Sequence, residues 1–181
     1  DACLEAFHAV PLDDIRPDAA LCDMIAAVDP SVKKWIFTAS VASHATRCLE
    51  RLGISLEEHG FEGIIDVRAV DNITKHQPEA FRRAMAIAGV WDPATCLFAD
   101  DSSKNIRTAK EMGWKTVLVG PERDGGKEPA GARPCREADW QIGRIHELRQ
   151  VCPEIFGGRG GGESKLVDGG GGAGGRYVEA A

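Results

Sequence analysis

Two periods of apolar residues alternate along this chain. Short runs such as Trp35-Ile36-Phe37, ending at Thr38, read as buried strands. Gly63 to Val67, Cys96 to Ala99 and Thr116 to Val119 are further runs of this kind. Between them the apolar positions recur every three or four residues, the spacing of an amphipathic helix. Asp18 to Val28 carries Leu21, Met24, Ile25 and Val28 on one face, with Pro17 just before it. Ala42 to Leu52 closes on Gly53, and Pro78 to Ala88, with Phe81, Met85 and Ile87, closes on Gly89. Ser103 to Met112 is a helix followed by Gly113. Ala138 to Ile142 reads as a last edge strand, and Arg144 to Val151 as a final helix stopped by Pro153.

Strand and helix in strict alternation predict βαβ units. The expected fold class is α/β: a three-layer, Rossmann-like parallel sheet with helices on both faces. The 181 residues suffice for one domain with a real core. Residues 121–137 are a polar loop rich in Gly, Pro and charge. After Phe156 the composition changes: 11 of the last 25 residues are Gly, with few apolar positions, so residues 157–181 are expected to be a disordered tail. Its Gly-Gly-Arg-Gly start reads as linker rather than as an RNA-binding repeat.

The net charge of -6 has no basic block set against it, which argues against a nucleic-acid partner. No apolar run approaches the ~18 residues of a membrane span, and neither a span nor a signal peptide is expected. The six cysteines (Cys3, Cys22, Cys48, Cys96, Cys135, Cys152) form no C-x-x-C pair and read as reduced, buried thiols of a cytoplasmic protein. That reading sets aside the glycosylation-type triplet Asn72-Ile73-Thr74.

Candidate chemistry gathers at strand ends. Leu97-Phe98-Ala99 runs into Asp100, Asp101 and Ser102, with Asn105 in the helix that follows. Adjacent carboxylates at the tip of a buried strand repel each other unless a cation lies between them, so a Mg²⁺ site at the carboxyl edge of the sheet is one expectation. A helix cap made by Asp100 or Asp101 is the plainer alternative. Thr38 offers a hydroxyl that can bond a phosphate oxygen, helped by the turn at Ala39 and Ser40; an ordinary capping threonine is the alternative. Lys75, in the loop before Pro78, can balance carboxylates and phosphate or can be a solvated surface lysine.

The order strand–Thr38, loop–Lys75–helix, strand–Asp100-Asp101-Ser102-x-x-Asn105 resembles the second, third and fourth motifs of the haloacid dehalogenase superfamily. The resemblance runs from about Pro17 to Phe156, with residues 1–17 resembling a return from cap to core and 18–156 the core domain. It is strongest to the pyrimidine 5′-nucleotidase-like phosphatases: Ile36-Phe37-Thr38, Lys75-x-x-Pro78-Glu79-Ala80-Phe81, Leu97-Phe98-x-Asp100-Asp101-Ser102 and Thr116-Val117-Leu118-Val119-Gly120. It implies that Thr38 and Lys75 serve the phosphoryl group and that Asp101 ligates Mg²⁺ directly. Asp100 would act directly or through water, with Ser102 and Asn105 supporting the loop. The implied substrate is a small phosphorylated metabolite such as a nucleotide, hydrolysed through an aspartyl-phosphate.

The chain departs from the family pattern at Ala39, where Asn is usual, and at His76, where Pro is usual. More consequentially, no Asp-x-Asp occurs in it. In the superfamily that motif supplies the nucleophile from a strand ahead of the others. Asp13-Asp14 and Asp66 do not fit it. The chain begins at Asp1 rather than Met, and the expectation is a core fragment without its cap and central first strand, inactive alone. A non-catalytic phosphate- or nucleotide-binding module is the alternative function. A phosphorelay receiver would place its acid pair first, and Gly120 to Lys127 lacks the residues of a P-loop.

Overall fold

The computed structural model describes residues 11–120 and 137–157. The loop expected at 121–137, apart from its last residue, lies outside them, as does the Gly-rich tail from 158 onward. The described chain divides into two compact units, one reaching Pro93 and the other starting at Ala94.

The first unit contains α1 (Ala19–Ala26), β1 (Lys34–Phe37), α2 (Ala42–Leu52), β2 (Phe61–Ile65) and α3 (Pro78–Ala88). Asp18 caps α1 by accepting from Leu21 N at 3.0 Å. Both α2 and α3 end in glycines in the left-handed region, Gly53 at φ 84° and Gly89 at φ 68°, where a side chain would strain the backbone. β1 and β2 pair in parallel, Ile36 against Ile64 and Phe37 against Ile65. Beneath them Ile65, Val70 and Ala84 pack with Trp35 and Phe37. Phe81 of α3 is fully buried and meets the Phe37 ring edge-on, with centroids 5.6 Å apart.

The second unit contains β3 (Leu97–Asp100), α4 (Ser103–Glu111), β4 (Lys115–Val119), β5 (Trp140–Ile142) and the short α5 (Leu148–Val151). β4 lies between β3 and β5, parallel to both. Val117 and Ile142 meet Val151 and Cys152 in a buried cluster. Phe98 and Trp114 form a second edge-on ring pair at 6.0 Å. Asp139 binds β5 to β4: its Oδ2 accepts from Thr116 N at 2.9 Å and from Thr116 Oγ1 at 3.0 Å, and Lys110 pairs with its other oxygen.

The α/β class and the parallel pairing are as the periodicity predicts. Three local expectations are corrected. The strand expected at Gly63 to Val67 runs from Phe61 to Ile65, leaving Asp66 beyond its end. The edge strand spans only Trp140–Ile142. The helix expected from Arg144 opens with a tight 3₁₀ turn, Ile145–Glu147, because Glu147 Oε1 turns back to accept from Arg144 N at 3.1 Å. The strands also fall into two sheets, of two and three strands, with β1 and β3 each at an edge. Apolar runs announce strands, but partners are chosen by contacts distant in sequence.

Candidate functional site

In the first unit the site residues cluster at the carboxyl end of β1. Thr38 N donates to Ile65 O at 2.9 Å, extending the pairing with β2 by one residue. Thr38 Oγ1 accepts from Ser40 N at 3.0 Å, which folds the chain into a tight turn through the exposed Ala39. A hydroxyl that accepts in this way still has its proton to donate. Lys75 is half-buried, and its Nζ donates to Phe37 O at 3.2 Å and lies 5.3 Å from the centre of the Phe37 ring. An ammonium and a hydroxyl from positions 37 residues apart are thereby held at adjacent residues of one strand end. Lys75 therefore has local structure to hold it, unlike a freely solvated surface lysine.

The chain reaches Lys75 through a turn with two successive left-handed residues, Asp71 at φ 53° and Asn72 at φ 61°. Ile73 N donates to Val70 O at 3.1 Å across it. Asp and Asn tolerate this conformation better than other side chains do. His76 is exposed.

In the second unit Asp100 is the last residue of β3. Its Oδ1 accepts from Ser102 N and from Asn105 Nδ2, each at 2.9 Å. Asn105 is buried, and its own N donates to Ser102 Oγ at 3.5 Å. Ser102 is thus the cap residue of α4, and Asp100 accepts from the Ser102 N–H at the helix start, so the plain capping alternative is met in part by Asp100. The network holds the Asp100 carboxylate against the start of α4 and leaves Asp101 exposed. Among the described residues no group of three or more His, Cys, Asp or Glu side chains is gathered to hold a metal. Two carboxylates still match the usual protein share of a Mg²⁺ site, where waters and a substrate phosphate supply the remaining oxygens.

Asp66 carries a role that its sequence position concealed. It is buried at 9% exposure; Oδ2 accepts from Ala42 N at 3.0 Å and Oδ1 from Ala69 N at 2.8 Å. Val41, at the cap position of α2, offers no side-chain bond, so Asp66 supplies the cap from 24 residues away. A lone acid directly after Ile64-Ile65 was the available signal, but sequence spacing could not identify its partner.

The cysteines also differ from expectation. All four described ones are free thiols, but only Cys152 is buried, and Cys22, Cys48 and Cys96 are half-exposed. No described helix is long and apolar enough to cross a membrane.

Known structures share this fold. The chain superposes on L-2-haloacid dehalogenase from Xanthobacter autotrophicus with a TM-score of 0.57 at 20% identity, covering 77% of this chain and 61% of that one. The fold is haloacid dehalogenase-like. A β-phosphoglucomutase from Clostridium difficile with this fold superposes at a TM-score of 0.54 and 21% identity, over 84% of this chain and 61% of the other. In sequence, the chain is 30% identical over 118 residues to Phosphate metabolism protein 8 of Saccharomyces cerevisiae, a match covering 61% of this chain and 37% of that protein. The chain thus spans less than two thirds of the length of these proteins, and little more than a third of the yeast one. No family model matches it.

Proposed function

We propose that this chain is the phosphate- and Mg²⁺-binding part of a phosphomonoester hydrolase acting on a nucleotide or another small phosphorylated metabolite. The observation that carries the reading is the placement of Lys75 Nζ on the Phe37 carbonyl, beside the Thr38 hydroxyl. A fixed cation next to a hydroxyl donor suits a tetrahedral oxyanion and is more than a halide leaving group requires. The similarity to a yeast protein named for phosphate metabolism supports the same choice over dehalogenation.

In this reading Lys75 neutralises the phosphoryl oxygens, and Thr38 donates to one of them. The turn through Ala39 and Ser40 borders the substrate. Asp101 and Asp100 would hold Mg²⁺, which would supply positive charge for phosphoryl chemistry. Asn105 and Ser102 hold the Asp100 carboxylate and the helix start in place. Phosphoryl transfer depends mainly on positioning and charge stabilisation, and these residues provide both. The aspartyl nucleophile of an Asp-x-Asp strand is not among these 181 residues. The chain alone is therefore a binding half-site, and loss of a covalent nucleophile costs about 10⁶-fold in comparable knockouts. That same absence favours a second reading, a phosphate-binding module without turnover.

Titration with inorganic phosphate in the presence of Mg²⁺, followed by calorimetry or phosphorus NMR, tests the proposal. The wild-type chain should bind. Lys75→Met and Thr38→Ala should each weaken binding by about 10-fold or more, the size of a lost charge-assisted hydrogen bond. Asp101→Asn should weaken Mg²⁺ binding. Failure of the wild-type chain to bind, or full binding by Lys75→Met, overturns the assignment. Turnover of p-nitrophenyl phosphate above background by this chain would overturn the claim that it lacks its nucleophile.

A further inference from the structure

Three of the described cysteines differ sharply in what faces the sulfur. Cys152 is fully buried, and burial pushes its thiol up to about 12. It stays protonated and out of reach. The Sγ of Cys22 is half-exposed but lies 3.4 Å from Gly53 O and 3.7 Å from Leu52 O. Both neighbours are backbone carbonyl oxygens, which accept a hydrogen bond but do not take the proton. Cys48 is also half-exposed, and its Sγ lies 3.5 Å from His44 Nε2. The two residues are one turn apart on α2, so the helix itself keeps them together. In the tautomer that carries its proton on Nδ1, His44 presents Nε2 as an acceptor for the thiol proton. Nucleophile and base are thus within hydrogen-bond reach on a partly accessible surface, the arrangement that makes a cysteine reactive.

We propose that Cys48 is a thiol-exchange site that reacts with low-molecular-weight disulfides, with His44 as its base. His44 Nε2 takes the Sγ proton, and the thiolate attacks one sulfur of the disulfide. The bond between Cys48 Sγ and that sulfur forms as the old S–S bond breaks, and the imidazolium returns its proton to the departing thiolate. One disulfide and one thiol give one mixed disulfide and one thiol, so no further oxidant is needed. The site lies on the helix entered from the Thr38 turn and is independent of the phosphate-binding assignment.

The experiment exposes the native, reduced chain to oxidised glutathione, quenches at intervals and maps adducts by peptide mass spectrometry. Cys48 should gain the adduct about 10-fold or more faster than Cys22, a conservative share of the gain from a positioned base. His44→Gln should bring Cys48 down to the rate of Cys22 and leave Cys22 itself unchanged. Disruption of the fold would speed up Cys22 and Cys152 together, so a loss confined to Cys48 reports the base and not the scaffold. Equal rates at Cys48 and Cys22 in the wild-type chain overturn the proposal without need of a variant. An undiminished Cys48 rate in His44→Gln overturns the role of the imidazole.

Discussion

Single side chains hold the described structure at points where the backbone has no partner of its own. Asp66 is the clearest case, because it satisfies the start of α2 and the turn at Ala69 with one buried carboxylate. Asp66→Ala should cost about 1–3 kcal/mol, the sum of a lost cap and a second lost hydrogen bond to the carboxylate. Asp66→Asn, which keeps one acceptor oxygen, should recover part of that loss. Urea unfolding of the two variants checks the order; equal stability of Asp66→Ala and wild type would remove the capping role. Asp66 also shows what residue types fail to reveal. It shares its chemistry with Asp100 and Asp101, yet one acid holds a helix and the others border the candidate metal position. Thr38 and Lys75 were legible because a hydroxyl at a strand end and a lysine before a helix recur in a fixed order. The bond from Lys75 Nζ to Phe37 O was not, since it joins residues 38 positions apart.

At the scale of elements, the helices were the most readable, because 3.6-residue spacing and terminal glycines are local signals. Gly89 ends α3 at φ 68° with nothing within 4 Å of the position a Cβ would take. The cost of Gly89→Ala should therefore be backbone strain alone, roughly 1–2 kcal/mol. For a protein of this length that lowers Tm by about 2–8 °C, measurable by thermal unfolding. An unchanged Tm would mean that the left-handed turn does not persist. The β4–β5 pairing depends instead on Asp139, which reaches across to Thr116. Its strand, Trp140–Ile142, is too short for alternation to mark its start, and the sequence placed that start two residues early. The final helix was misread at its start for a related reason: Glu147 satisfies the backbone ahead of it, and hydrophobic spacing carries no record of that bond.

For the molecule as a whole, stability follows pH through the groups that folding removes from water. Burial raises the Cys152 thiol from its ordinary 9.0 to about 12. The unfolded chain therefore sheds this proton above pH 9 while the folded chain keeps it. With more protons on the folded state, stability must fall as pH rises between those values. Below pH 9 the thiol is neutral in both states and contributes no slope. The stability advantage of wild type over Cys152→Ala should accordingly narrow as pH climbs from 9 toward 12, as read by denaturant midpoints. A constant gap would mean that the sulfur is solvated in the folded protein.

Apolar periodicity, turn residues and the order of a few polar side chains were enough to determine an α/β chain with parallel strands and its helices, and to nominate the candidate site positions. These are local properties, set by backbone geometry over a few residues at a time. Tertiary structure alone decided which strands share a sheet, that Asp66 caps a helix and that Lys75 comes to the end of β1. Each of those outcomes depends on packing between segments far apart in the chain, where no repeat in the sequence marks the partner.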